Sequence, residues 1–103
     1  MHYVPTEIEG YVFMTSFHDD FDAADHLGLK EIKNTYNRTF RKWRSNIEYL
    51  TELVLVLNQR AWFWNDKNKT TAKLYDDLYD TLVNYINTNF SDEDLNYFYD
   101  ILD

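Results

Sequence analysis

Apolar side chains recur at Leu29, Ile32, Tyr36, Phe40, Trp43, Ile47, Leu50, Val54, Leu57 and Ala61, in steps of three and four residues that only an α-helix lines up along one side. The stripe predicts a long apolar central helix over about 29–64. Its phase survives the polar pair Ser45-Asn46, so one helix bent there is the expectation, with two helices and Asn46 as a cap as the alternative. Inside the stripe, Leu53-Val54-Leu55-Val56-Leu57 turns apolar groups in every direction, which marks a helix enclosed by protein. Taken alone those five residues also suit a buried strand, but the helical pattern on both flanks argues against it.

The flanking segments read as shorter elements. Residues 1–14 hold the only Pro and one of two Gly, which predicts an extended arm with at most one short strand near Tyr11 to Met14. Thr15 or Ser16 can cap a short acidic helix whose Asp19, Asp20 and Asp22 suit the positive end of its dipole, and Gly28 supplies a stop with positive φ. Beyond a polar turn at Asn65 to Lys69, helix is expected from Thr70 or Thr71 to about Asn89, with Leu74, Tyr75, Leu78, Tyr79, Leu82, Val83 and Ile86 inward. Ser91 with an acid three residues on opens a last helix that carries Leu95, Phe98, Ile101 and Leu102 inward. The fold class is therefore all-α, a compact bundle of four to five helices forming one domain over 1–103. A chain of 103 residues is long enough to bury a core without staples.

Several functions are excluded or disfavoured by what the chain lacks. With no Cys there is no disulfide framework, thiolate metal site or cysteine nucleophile. Met1 to Phe17 has no basic segment followed by an apolar one, and no run approaches the length of a membrane span, so a cytoplasmic protein is expected. Three Ser, three His and no Gly-rich loop offer neither a nucleophile with its base nor a phosphate cradle, which argues against an enzyme and against a cofactor. His18, Asp22 and His26 would share one side of a helix, but spread over about 12 Å they cannot all reach one metal ion. Glu52, one turn from Glu48 and beside the apolar run, is a carboxylate whose pKa burial would raise unless Arg41, Arg44 or Arg60 pairs with it.

The net charge of −8 is divided into blocks. Residues 1–28 hold six acids and no Lys or Arg, residues 29–73 hold ten bases against four acids, and residues 74–103 hold eight acids and no base. Either the acidic ends fold against the basic middle, or the excess acid forms a patch that meets a basic partner. Arg38, Arg41, Lys42 and Arg44 surround Trp43, a mixture able to hold nucleic acid, but the overall charge weighs against direct nucleic-acid binding. Trp62-Phe63-Trp64 places three large rings about 100° apart, so at least one must sit at a rim or a contact surface. Tyr75, Tyr79, Tyr85, Tyr97 and Tyr99 mix with acids into a composition suited to protein recognition. The candidate partner-binding residues are the acids Asp76, Asp77, Asp80, Asp92, Glu93 and Asp94 and the aromatic anchors Trp62, Trp64 and Tyr79.

The segment Thr35-Tyr36-Asn37-Arg38-Thr39-Phe40-Arg41-Lys42-Trp43, then Tyr49 to Asn58, Leu74 to Tyr79 and the ending Leu95 to Asp103, resembles a family of small uncharacterised proteins of bacteriophages and prophages of low-GC bacteria. The likeness spans about residues 21–103; the family often has Met where Leu55 stands, and residues 1–14 have no counterpart in it. The resemblance implies a phage-borne accessory protein acting inside a bacterial cell and brings no catalytic motif. By analogy with small acidic phage proteins, it implies an anti-CRISPR or anti-restriction inhibitor whose carboxylates occupy a groove evolved for phosphates. The other expectation is a helical interaction or assembly module, with a homo-oligomer as one form of it.

Overall fold

The computed structural model describes residues 17–102, and all regular structure among them is helical. Five helices follow one another: α1 (17–27), α2 (Leu29–Trp43), α3 (Ile47–Trp64), α4 (Lys69–Asn89) and α5 (Asp92–Leu102). They pack into a body of 36 × 30 × 24 Å. No helix among the described residues is long and apolar enough to cross a membrane. The expected arm over 1–14 and the caps at Thr15 and Ser16 lie outside the described residues.

The single long helix over 29–64 is not formed. Arg44 caps the end of α2 with helical backbone angles, and Asn46 turns to φ −113°, ψ 104°, where its side chain accepts a hydrogen bond from Tyr49 N and opens α3 as an N-cap. Phase persists across the break because α2 and α3 face the same core, not because they share an axis. The break brings Trp43 onto Tyr49, which a continuous helix would hold about 120° apart around its axis. Tyr85 Oη donates to Arg44 O, satisfying a carbonyl that the end of α2 leaves free.

The core is centred on α3. Leu50, Leu53, Val54, Val56 and Leu57 are wholly buried, and with Thr51, Arg60 and Ala61 they cover about 220° of the helix circumference. Apolar groups around most of the helix leave it stable only when enclosed, here mainly by α4, whose Tyr75, Leu82 and Ile86 pack on it, and by Phe98 of α5. α2 buries only Ile32, Thr35, Tyr36 and Thr39, an arc of about 100°. The stripe expected to begin inward at Leu29 leaves that residue exposed, as it does Leu27 across the corner. Ile101, expected inward, is exposed on α5, while Leu95 and Leu102 pack half-buried against the core.

Gly28 makes the corner between α1 and α2. Its φ of +109° with ψ of −178° is open to glycine and strained for other residues, and it lets the N–H close α1 on Ala24 O while the C=O receives Glu31 N and Ile32 N. Asn68 caps α4 by accepting from Thr70 N and Thr71 N. Ser91 Oγ accepts from Asp94 N at 3.3 Å and starts α5, as its spacing predicts.

Candidate functional site

The most polar feature of the interior joins three helices. Asp25, near the end of α1, has a side chain only 5% exposed. Its Oδ2 accepts from Arg60 Nη2 and, at 3.1 Å, from Trp64 Nε1, while its Oδ1 accepts from Tyr75 Oη. Arg60 and Trp64 are four residues apart and so lie one above the other on α3. Arg60 Nη2 also donates to the exposed Asp22 Oδ1 at 2.6 Å. Burial lowers the pKa of Arg60, but hydrogen bonds and attraction from Asp25, then from Asp22, outweigh it and the net shift is upward. Burial, followed by the bond to Asp25, holds the Tyr75 hydroxyl well above its ordinary value.

Asp25 thus receives donors from Arg60, Tyr75 and Trp64, so the carboxylate is a bracket holding α1, α3 and α4 together and presents no spare base. Arg60, as a cation available to Glu52, and Tyr75, on the inward side of its helix, were visible in the sequence as separate residues. Their pairing was not: Arg60 stood as a partner for Glu52, yet it is engaged by Asp22 and Asp25. Glu52 instead keeps Oε2 buried without a hydrogen bond, and burial pushes its pKa up to about 7. Tyr97 of α5 lies near enough that Glu48 and Glu52 add to the upward shift that burial gives it.

His18, Asp22 and His26 do not converge. His18 Nε2 bonds Gln59 Oε1 at 2.8 Å, Asp22 pairs with Arg60, and among the described residues no group of three His, Asp or Glu is placed to hold a metal ion.

The proposed contact acids fall into two groups. Asp76, Asp77 and Asp80 are exposed between the second turn and the middle of α4, and Asp77 pairs with Lys73 at 3.4 Å. Asp92 and Glu93 are exposed and Asp94 is half-buried in the first turn of α5. Asp80 and Asn89 are separated by about 13 Å of helix, so the groups sit towards opposite ends of α4. Of the aromatic anchors, Trp62 is 79% exposed at the end of α3. Trp64 is half-buried with its indole N–H given to Asp25, and Tyr79 is half-buried against the core. Phe63, not counted as an anchor, is also exposed, with Lys67 Nζ 4.3 Å from its ring centre. Tyr75, counted among the surface tyrosines, is wholly buried because the Asp25 bracket takes its hydroxyl; Tyr99 is the exposed one, bonded to Asn87.

No family model, curated protein or solved structure matches the chain. The surface and its chemistry therefore carry the functional argument.

Among the described residues the acidic ends meet the basic middle at only two cations, Arg60 and Lys73. Among the described residues the ion pairs are those of Arg60 with Asp22 and Asp25 and of Lys73 with Asp77. Most of the other exposed acids of the C-terminal block lie on α4 and α5, and most of the unpaired cations lie on α2.

Proposed function

We propose that this protein is a non-enzymatic inhibitor of phage type that binds a nucleic-acid-targeting defence protein through its acidic helices. The observation that carries the reading is the exposure of Asp76, Asp77, Asp80, Asp92 and Glu93, of which only Asp77 is paired, and that with a lysine on its own helix. Carboxylates left unneutralised on rigid helices suit a groove that evolved to hold phosphates, and Trp62 offers a ring for anchoring at its edge. The one interior carboxylate with several donors is consumed in holding helices together, which favours recognition over catalysis.

Plating of a targeted phage on a low-GC bacterium with an active CRISPR or restriction system tests this. Expression of the protein should restore plaques by orders of magnitude, and reversing the charge of Asp76, Asp77, Asp80, Asp92, Glu93 and Asp94 together should abolish the rescue while leaving the helical circular dichroism intact. No rescue against either system, or rescue retained by the reversed variant, overturns the proposal.

The second reading, a helical assembly module, is favoured by the exposure of Trp62 and Phe63 side by side. It requires a salt-insensitive dimer in sedimentation that Trp62→Ala dissolves.

A further inference from the structure

We infer that the outward side of α2 is a binding surface for duplex DNA, distinct from the acidic helices. The four core residues of α2 occupy one narrow arc, so the helix stands proud of the body on its remaining sides. Directly opposite that arc, Lys30, Asn34, Asn37 and Arg41 fall within about 60° of one another, with Lys33 on one flank, Arg38 on the other and Arg44 continuing past the end. All seven are exposed, and a shallow depression on this side is lined by Glu31, Asn34, Asn37, Arg38 and Arg41. Arg38 reaches only Thr35 Oγ1, at 3.4 Å, and Lys30, Lys33, Arg38, Arg41 and Arg44 form no ion pair among the described residues.

The shape and the chemistry both fit a duplex. α2 has 15 residues and is about 22 Å long, and a helix about 10–12 Å across with its side chains enters a major groove about 12 Å wide. The amides of Asn34 and Asn37 at the centre of the ridge can both donate and accept at base edges, and the flanking cations can reach the phosphates on either side. The net charge of −8, which weighed against nucleic acid in the sequence, is not what DNA meets at this surface. Over Leu29–Trp43 five Lys and Arg stand against one acid, Glu31, so the local charge of α2 is positive, and exposed charges more than a Debye length apart, about 8 Å at physiological salt, are largely screened from one another. The acidic side of a second copy is the poorer occupant, because its carboxylates fall in two separated groups whereas DNA offers a continuous row of phosphates.

Fluorescence anisotropy of a labelled mixed-sequence duplex of about 24 base pairs, titrated with the full chain at about 50, 100 and 200 mM KCl, tests the inference. Binding should weaken by roughly a hundredfold across that range if about four phosphates are contacted. The Arg38→Gln, Arg41→Gln, Arg44→Gln variant should bind at least roughly tenfold more weakly at the middle concentration and lower the salt slope by about 2 to 3. Lys30→Gln with Lys33→Gln tests the other end of the helix should the triple variant fail to fold, and should weaken binding in the same direction. No binding at the lowest salt, binding indifferent to both variants, tighter binding to a single strand than to the duplex, or self-association abolished by these variants in place of DNA binding overturns the assignment. The substituted residues and the six acids lie on different helices, so failure here leaves the proposed inhibitor reading standing, and the reverse.

Discussion

Trp43 and Tyr49 stack face to face across the break between α2 and α3, their ring centres 3.7 Å apart and their planes 9° from parallel. The stack exists only because Asn46 ends the helical path and starts a new one. Asn46→Ala should therefore lower stability by about 1 kcal/mol, measured by urea unfolding. A double-mutant cycle with Trp43→Leu and Tyr49→Leu should return a coupling of about 0.5–1.5 kcal/mol. No coupling would mean that the rings are held by their other neighbours alone.

Asp25→Ala removes the acceptor shared by Arg60, Tyr75 and Trp64 and leaves the buried guanidinium with Asp22 as its one ion-pair partner among the described residues. A loss of about 3–5 kcal/mol is expected in the same unfolding measurement. Asp25→Leu combined with Arg60→Met should recover only part of it, since the two apolar side chains need no partner but Tyr75 Oη and Trp64 Nε1 are left without their acceptor. Asp22→Ala, which removes an exposed carboxylate, should cost less than about 1 kcal/mol.

Glu52 makes stability depend on pH. Its pKa in the folded protein, about 7, lies above the unfolded value near 4.5, so the folded state holds its proton more tightly. The contribution is fully present below about pH 4.5, falls as pH rises towards 7 and is lost above that. Because Glu52 is only partly buried, solvent screening limits the loss to the order of 1–2 kcal/mol. Glu52→Gln should be more stable than the parent at pH 8 and should flatten this part of the profile. An unchanged profile in denaturant melts across this range would locate the dependence elsewhere.

Gly28→Ala isolates backbone strain from crowding. A Cβ added there meets no atom within 4 Å, yet φ of +109° is a region that alanine avoids. The expected loss is about 1–3 kcal/mol, with amide exchange quickened around residues 27–29. A neutral substitution would mean that the corner relaxes to negative φ without disturbing α1 or α2.

Trp62→Ala should change stability by less than about 0.5 kcal/mol, because the ring touches solvent over most of its surface. Acrylamide should quench Trp62 far more readily than Trp64, read from the two single-tryptophan variants that retain one or the other.

What the sequence by itself determined is the all-helical fold class and most of the residues that face inward. Three- and four-residue spacing marks Ile32, Tyr36, Leu50, Val54 and Leu57 because side chains on one side of a helix repeat at that interval whatever the helix later packs against. Gly28 and Ser91 were equally readable, since a positive φ and a free helix end each demand particular residue types close by in the chain. Only the tertiary structure decided that the stripe belongs to two helices, that Arg60 answers Asp25 and not Glu52, and that Trp64 gives its indole N–H to Asp25 while Trp62 stays outside. Those outcomes depend on partners 35 to 50 residues away in the chain or on a balance between neighbouring helices, and no local spacing encodes which of several cations, acids or rings arrives first at a given contact. The same holds for the surface: blocks of charge in the chain became a positive side on α2 and negative sides on α4 and α5 only when packing around α3 set which way each helix faced.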